Sequence, residues 1–220
     1  MNLKFGDVIY VSIAKNACST FKYMVYKQLF NEDYNADKKK MTIHEFFYHH
    51  PRFSVRNSCK FSECYSFCFV RNPFDRLVSA YLSKIKDPPI TEISMNAKMK
   101  DGIPKNIAIL DGNLKKGMPF DQFIMRLTEN PDIFNNEHFA PQVSFLNKTS
   151  WDSLNYLGRY ETLQEDWKKI CEEASLGEIN LLHRNKSENR QHYNEYYDKY
   201  TRHVVENLYK QDLDAFGYSY

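Results

Sequence analysis

Apolar residues fall along the chain in two short, nearly continuous runs, and each run leads into a segment of helical spacing. Val8 to Ile13 is almost wholly apolar, which predicts a strand covered on both faces. A helix over Cys18 to Phe30 follows, with Phe21, Met24, Val25 and Leu29 forming its stripe. Residues 31–43 are rich in Asn, Asp and Lys and read as a loop, and Pro51 prevents a continuous regular element over 44–58. The second run, Tyr65 to Val70, predicts another strand. It ends at Asn72-Pro73, a capping residue followed by a first-turn proline. Phe74, Leu77, Val78, Tyr81, Leu82 and Ile85 then recur at helical spacing until Asp87-Pro88-Pro89 stops the helix.

Residues 87–118 lack sustained periodicity, and a connection this long inside one domain predicts a substrate or lid loop. Beyond it the pattern predicts a helix over Pro119 to Thr128, a strand including Tyr156 to Gly158, and a helix over Leu163 to Glu173. The tail from Tyr193 to Tyr209 reads as helical, with Tyr197, Tyr200, Val204, Leu208 and Tyr209 as packing positions. Neither a repeat nor a linker divides the sequence, so residues 1–220 are expected to form a single domain of α/β class with a central parallel sheet.

Composition narrows the function classes. Hydrophobic residues make up 42% of the chain, which suits a packed globule. A formal charge of +2 is too small for wholesale nucleic-acid wrapping, so no obligatory nucleic-acid partner is expected. Apolar runs are too short for an integral membrane segment, and the amino-terminal residues lack the apolar stretch of a signal peptide. The cysteines Cys18, Cys59, Cys64, Cys68 and Cys171 are odd in number and form no paired framework, which fits a reducing compartment and a cytoplasmic location. The spacing of Cys59, Cys64 and Cys68 matches no common zinc knuckle, and no metal is expected.

Each strand ends in a turn bearing a cation, and each turn leads into a helix with hydroxyls near its start. The first is Lys15-Asn16-Ala17-Cys18-Ser19-Thr20. Amides at a helix start can surround a phosphate group, Ser19 and Thr20 can donate hydroxyl bonds, and Lys15 supplies mobile positive charge. The glycines of a standard nucleotide-binding loop are missing. In the second turn, Arg71 ends the strand and can present its planar fork to an oxyanion while Ser79 donates from the helix. Arg76 reads as structural, paired at the surface with Asp75 or Asp87.

These segments resemble the carbohydrate sulfotransferases that use 3′-phosphoadenosine 5′-phosphosulfate (PAPS, leaving PAP), especially the chondroitin and HNK-1 group and its bacterial relatives. Ala14-Lys15-Asn16-Ala17-Cys18-Ser19-Thr20-Phe21-Lys22 is similar to their 5′-phosphosulfate loop, with Ala14 in place of the usual proline. Phe69-Val70-Arg71-Asn72-Pro73-Phe74-Asp75-Arg76-Leu77-Val78-Ser79-Ala80-Tyr81 resembles their 3′-phosphate signature. The likeness continues through His138-Phe139-Ala140-Pro141-Gln142, Gly158-Arg159-Tyr160-Glu161, Asn185-Lys186-Ser187 and Asp212-Leu213-Asp214-Ala215-Phe216-Gly217-Tyr218. The resemblance implies a P-loop-like three-layer fold. It implies that Arg71 and Ser79 hold the 3′-phosphate, and that Arg184, Lys186 and Ser187 lie near the nucleotide.

The implied reaction moves a sulfuryl group from PAPS to a carbohydrate hydroxyl by in-line displacement, with Lys15 stabilising the leaving phosphate. The acceptor's proton needs a base, and histidine suits that role near neutral pH. His138, in the family-like segment, leads; His49 or His50 come next and His44 follows, because some related heparan sulfotransferases place catalytic histidines between the two donor segments. Glu161 and Asp166 straddle a helix start, which argues against a catalytic acid pair, and Arg159 and Glu161 read as fixing backbone or substrate geometry. Lys98, Lys100, Lys105, Lys115 and Lys116 can attract an acidic glycan. Two other classes compete: a P-loop-like phosphotransferase, and a noncatalytic anion or nucleic-acid binding module. The acceptor sugar and the oligomeric state are left open.

Overall fold

The computed structural model describes residues 2–50, 63–88, 99–100, 102–146, 153–181 and 191–220. In chain order its elements are β1 (Leu3–Phe5), β2 (Val8–Val11), α1 (Cys18–Phe30), α2 (Ala36–Lys39), α3 (Ile43–His49), β3 (Tyr65–Val70), α4 (Pro73–Tyr81), β4 (Met99–Lys100) and β5 (Ile103–Pro104). They continue with α5 (Lys105–Ala108), α6 (Phe120–Glu129), α7 (Val143–Leu146), β6 (Tyr156–Arg159), α8 (Leu163–Glu173), α9 (Lys199–Leu208) and α10 (Lys210–Phe216). The main sheet has the order β1-β2-β3-β6. β2, β3 and β6 run parallel, and β1 closes the edge as an antiparallel hairpin partner of β2. The result is a mixed α/β fold with a central sheet flanked by helices. The chain forms two compact units, Met1–Arg71 with Phe145–Glu188, and Asn72–Ser144 with Asn189–Tyr220.

In the first unit one aromatic side chain organises the core. Strand side chains alternate faces, so Tyr10, Phe67 and Phe69 share one face of the sheet. Phe21 of α1 packs among them, with ring centroids 4.5 Å from Tyr10, 5.1 Å from Phe69 and 5.2 Å from Trp167 of α8. Gly158 of β6 lies opposite Phe69 in register, and a Cβ there would sit 2.5 Å from the Phe69 ring. That close approach requires a glycine. Leu29 does not complete the expected stripe and is 40% exposed. Tyr26 takes its place, buried against Tyr34 and Phe46 of α3, so the last turn of α1 packs on α3.

The expected loop at 31–43 contains the short α2, and the ambiguous stretch after it begins with α3. Thr42 and Glu45 form a reciprocal capping box that fixes the start of α3. The cysteines are also not all unpaired: Cys64 is disulfide-bonded, while Cys18, Cys68 and Cys171 are free. Burial pushes the Cys68 thiol well above its ordinary value, which makes it an inert core residue.

The second unit has its own core around Phe74, Leu77, Tyr81, Phe123, Phe139, Val205 and Tyr209. α4 starts as its sequence requires, with Asn72 accepting from the Phe74 amide and Pro73 in the first turn. A π-helical turn, Leu82–Lys86, extends it and buries Ile85. Within the expected loop, residues 103–118 bury Ile103, Ile107, Ala108, Leu114 and Met118. In the tail, the Asp198–Thr201 capping box sets the start of α9 so that Thr201, Val205 and Tyr209 point inward. Tyr200 is left 59% exposed, against the expectation that it packs.

Candidate active site

The turn after β2 adopts left-handed backbone twice without a glycine, at Lys15 (φ 72°) and Ala17 (φ 60°). Such conformations cost an L-residue about 1 kcal/mol or more each, so surrounding contacts must hold them. Three do so. The buried Asn16 donates through Nδ2 to the Phe69 carbonyl at 2.8 Å, tying the turn to β3. The Tyr10 hydroxyl donates to the Asn16 carbonyl at 3.2 Å. Arg71 donates to the Lys15 carbonyl at 3.0 Å.

The turn delivers the chain directly into α1. Ala17, the capping residue, offers no side-chain cap, and the first turn carries no acidic residue. The first amides of a helix have no intrahelical acceptor, so Cys18, Ser19 and Thr20 present donors and the positive end of the helix dipole. Alternating backbone conformations just before a helix form a concave nest for an anion. The donor set of Lys15, Ser19, Thr20 and Lys22 suits a phosphate-type oxyanion.

Arg71 is almost fully buried, and its guanidinium lies 4.0 Å from the centroid of the Tyr160 ring. Stacked and hydrogen-bonded, it locks the first turn to the end of β3. Asp166 steadies the neighbouring Arg159–Thr162 segment, accepting from the Arg159 amide at 2.8 Å, the Thr162 hydroxyl at 2.8 Å and the Tyr156 hydroxyl at 3.0 Å. Burial would raise its carboxyl, but these hydrogen bonds outweigh that and hold it below the ordinary range.

Lys22 and His44 add to the donor loop in a way the motif alone did not single out. Lys22 is 6% exposed, and its Nζ lies 2.7 Å from His44 Nδ1. His44 Nε2 lies 2.9 Å from the Ser19 hydroxyl. The helical spacing of Ser19 and Lys22 puts both on one face of α1, a usable clue. That His44 bridges them depends on how α3 docks, which no local pattern encodes.

His138 belongs to the second unit and is held from several sides. Asn136 Oδ1 accepts from the His138 backbone amide at 3.0 Å and faces ring Nδ1 at 2.9 Å. The amide is always a donor, which fixes that oxygen as an acceptor and requires a proton on Nδ1. The neutral ring therefore keeps its basic lone pair on Nε2. Arg76, fully buried, donates to the carbonyls of Ala140 at 2.8 Å and Glu137 at 3.0 Å. Asp212 accepts from the Gln142 and Val143 amides, and the Tyr209 hydroxyl donates to the Phe139 carbonyl. Arg76 is thus structural as expected, but as a buried internal clamp and not a surface group.

Among the other sequence candidates, His49 is exposed, its ring edge-on to Tyr48. His50 has Nδ1 2.7 Å from the Phe46 carbonyl and stacks on the Phe46 ring. Ser79 is half-buried on α4, in the second unit. Arg184, Lys186 and Ser187 lie outside the described residues, as does Lys98.

A mixed sheet whose second strand, β2, feeds a turn and a helix start without a side-chain cap defines an α/β protein with amide donors exposed at that helix start. The chain belongs to the sulfotransferase family, whose match covers residues 4–219. It is 29% identical over 161 residues to carbohydrate sulfotransferase 12 of Xenopus laevis, covering 66% of this chain and 37% of that protein. It is 24% identical over 173 residues to carbohydrate sulfotransferase 10 of Xenopus laevis, covering 70% of this chain and 47% of that protein. The chain thus spans less than half the length of these curated relatives. No solved structure matches it.

Proposed function

We propose that this protein is a PAPS-dependent O-sulfotransferase acting on a hydroxyl of a carbohydrate. The observation that carries the reading is the uncapped start of α1, preceded by left-handed Lys15 and Ala17 and lined by Ser19 and Thr20. It supplies the donors that a phosphosulfate needs, and it does so within a sulfotransferase-family chain. Both curated relatives are named as carbohydrate sulfotransferases, which supports a glycan acceptor.

When bound, PAPS supplies an activated sulfuryl group. The amides of Cys18, Ser19 and Thr20 and the Lys15 ammonium hold the negative charge on its 5′ side, with Asn16 and Ala17 shaping the turn. Arg71 keeps that turn in place and carries the positive charge assigned to the 3′-phosphate. Ser79, Arg184, Lys186 and Ser187 keep their nucleotide-binding roles on the strength of the sequence resemblance. His138 takes the acceptor proton on Nε2, and Asn136 maintains that tautomer. The clamps from Arg76, Tyr209 and Asp212 support the choice of His138 over the exposed His49, because a base must be held in one orientation, and its place in the family-like segment favours it over His50.

Calorimetric titration with PAP, followed by transfer of labelled sulfate from PAPS to a panel of desulfated glycans without divalent metal, tests the reading. Saturable PAP binding and metal-independent labelling are expected. Absence of PAP binding by folded protein would overturn the donor assignment, and strict magnesium dependence with a nucleoside triphosphate would favour a phosphotransferase.

A further inference from the structure

Lys22 is a buried cation on the first turns of α1, and the group it meets is a histidine from another helix. An ammonium only donates, so the His44 Nδ1 atom 2.7 Å away must accept and carry no proton. The neutral ring then bears its proton on Nε2, and that proton points at the Ser19 hydroxyl oxygen, 2.9 Å away. A hydroxyl oxygen that accepts from His44 has its own hydrogen left to donate elsewhere. One imidazole therefore sets the donor direction of two side chains at the same helix start. The carboxylate nearest in sequence, Glu45, faces the other way: it closes the capping box on the Thr42 amide at 2.7 Å.

We propose that His44 is a positioning residue of the donor-binding loop: as the Nε2–H tautomer it turns the Ser19 hydroxyl hydrogen and the Lys22 ammonium toward an anion at the start of α1. The inference rests on the proposed donor site but assigns His44 a role separate from proton abstraction. Its action is electrostatic preorganisation. Two donors that would otherwise sample several rotamers are aimed before the phosphosulfate arrives. The imidazole touches neither the reacting hydroxyl nor the sulfuryl group in this role, so His44 acts through Ser19 and Lys22. It also explains why a buried lysine is tolerated here, since its ammonium is hydrogen-bonded within the protein.

The test has two independent arms. In the first, NMR of protein carrying nitrogen-labelled histidine reads the ring tautomer of His44 without any ligand. The expected result is the Nε2–H form, becoming a tautomer mixture in Lys22→Met. A wild-type Nδ1–H form, or a tautomer unchanged in Lys22→Met, overturns the proposal even if the enzyme is a sulfotransferase. In the second arm, calorimetry measures PAP affinity for wild type, His44→Ala, Ser19→Ala and the double variant. His44→Ala is expected to weaken PAP by about tenfold, the scale of one charge-assisted hydrogen bond. The double variant should lose less than the sum of the two single losses, because part of the His44 effect passes through Ser19. Additive losses, or a His44→Ala affinity within twofold of wild type, overturn it. Should wild type fail to bind PAP, the donor assignment falls and the proposal with it, whereas a positive tautomer result beside that failure would show the Ser19–His44–Lys22 relay to be structural only.

Discussion

Arg71 and Lys15 are joined by a hydrogen bond from the guanidinium of one to the main-chain carbonyl of the other, 3.0 Å long, across 56 positions of sequence. A residue expected to grip a phosphate group therefore also holds the backbone of the neighbouring anion loop. The planar fork matters for this, because the same group stacks on Tyr160. Arg71→Lys keeps the charge but loses the stack and the directed bond. PAP affinity is expected to fall by more than about tenfold, with a loss of about 1–3 kcal/mol in stability from the broken buried hydrogen bond. Calorimetry and urea unfolding measure the two effects. A Lys variant that matches wild type in both would sink the dual role.

Asn136 and His138 give a kinetic signature. His138→Ala is expected to cut turnover by roughly a hundredfold to ten-thousandfold while leaving PAP binding within twofold. Asn136→Ala frees the ring to take the other tautomer and should lower turnover by about tenfold, the worth of one oriented hydrogen bond. Steady-state rates with calorimetric PAP binding check both. Near-normal turnover in His138→Ala would remove His138 as the base and leave His49, His50 or His44 as the candidates.

Gly158→Ala would push a methyl group into the Phe69 ring. Overpacking of this kind costs about 1–3 kcal/mol. Adding Phe69→Leu makes room, so the double variant should recover part of the loss. Denaturation midpoints for the cycle of variants test this; simple additivity would contradict direct contact.

Asp166 predicts an acid-sensitive step. Its folded carboxyl is held below the ordinary value, so its stabilising effect is present above the unfolded value of about 3.9 and is lost as pH falls through the lower folded value. Asp166→Asn should be less stable than wild type near neutrality, and the gap should close in acid. Unfolding curves across that range reveal it, and a constant gap would show that charge plays no part.

Arg76→Met removes both donors to the His138 segment and leaves the Glu137 and Ala140 carbonyls without that partner. A loss of about 3 kcal/mol is expected, at the upper end for hydrogen bonds to a charged group. Urea unfolding measures it, with a change below half that size counting against the clamp.

The elements that carry the site were legible because their signals are local. α1 and β3 fall where apolar runs and periodicity put them, and Asn72-Pro73 announced α4 through capping chemistry alone. α3 was also marked, by Thr42 and Glu45 three residues apart, but it is short and its start falls within a stretch whose composition favours a loop. Leu29 and Tyr200 were misplaced because a helix's buried face depends on which neighbour docks against it, and spacing alone does not choose among adjacent positions. The same limit hid Asn136 and the contact between Lys22 and His44: each depends on a partner whose orientation is settled by tertiary packing. Arg76 shows the point most plainly, since a charged residue on a helix ordinarily signals solvent.

The two left-handed residues ahead of α1 imply something about evolution and engineering alike. Glycine at position 17 would relieve conformational tension and firm up the folded chain, yet it would also let the turn wander among shapes. Alanine keeps the cradle rigid at some expense in foldedness, so a variant selected for heat resistance at this position should trade away grip on its ligand.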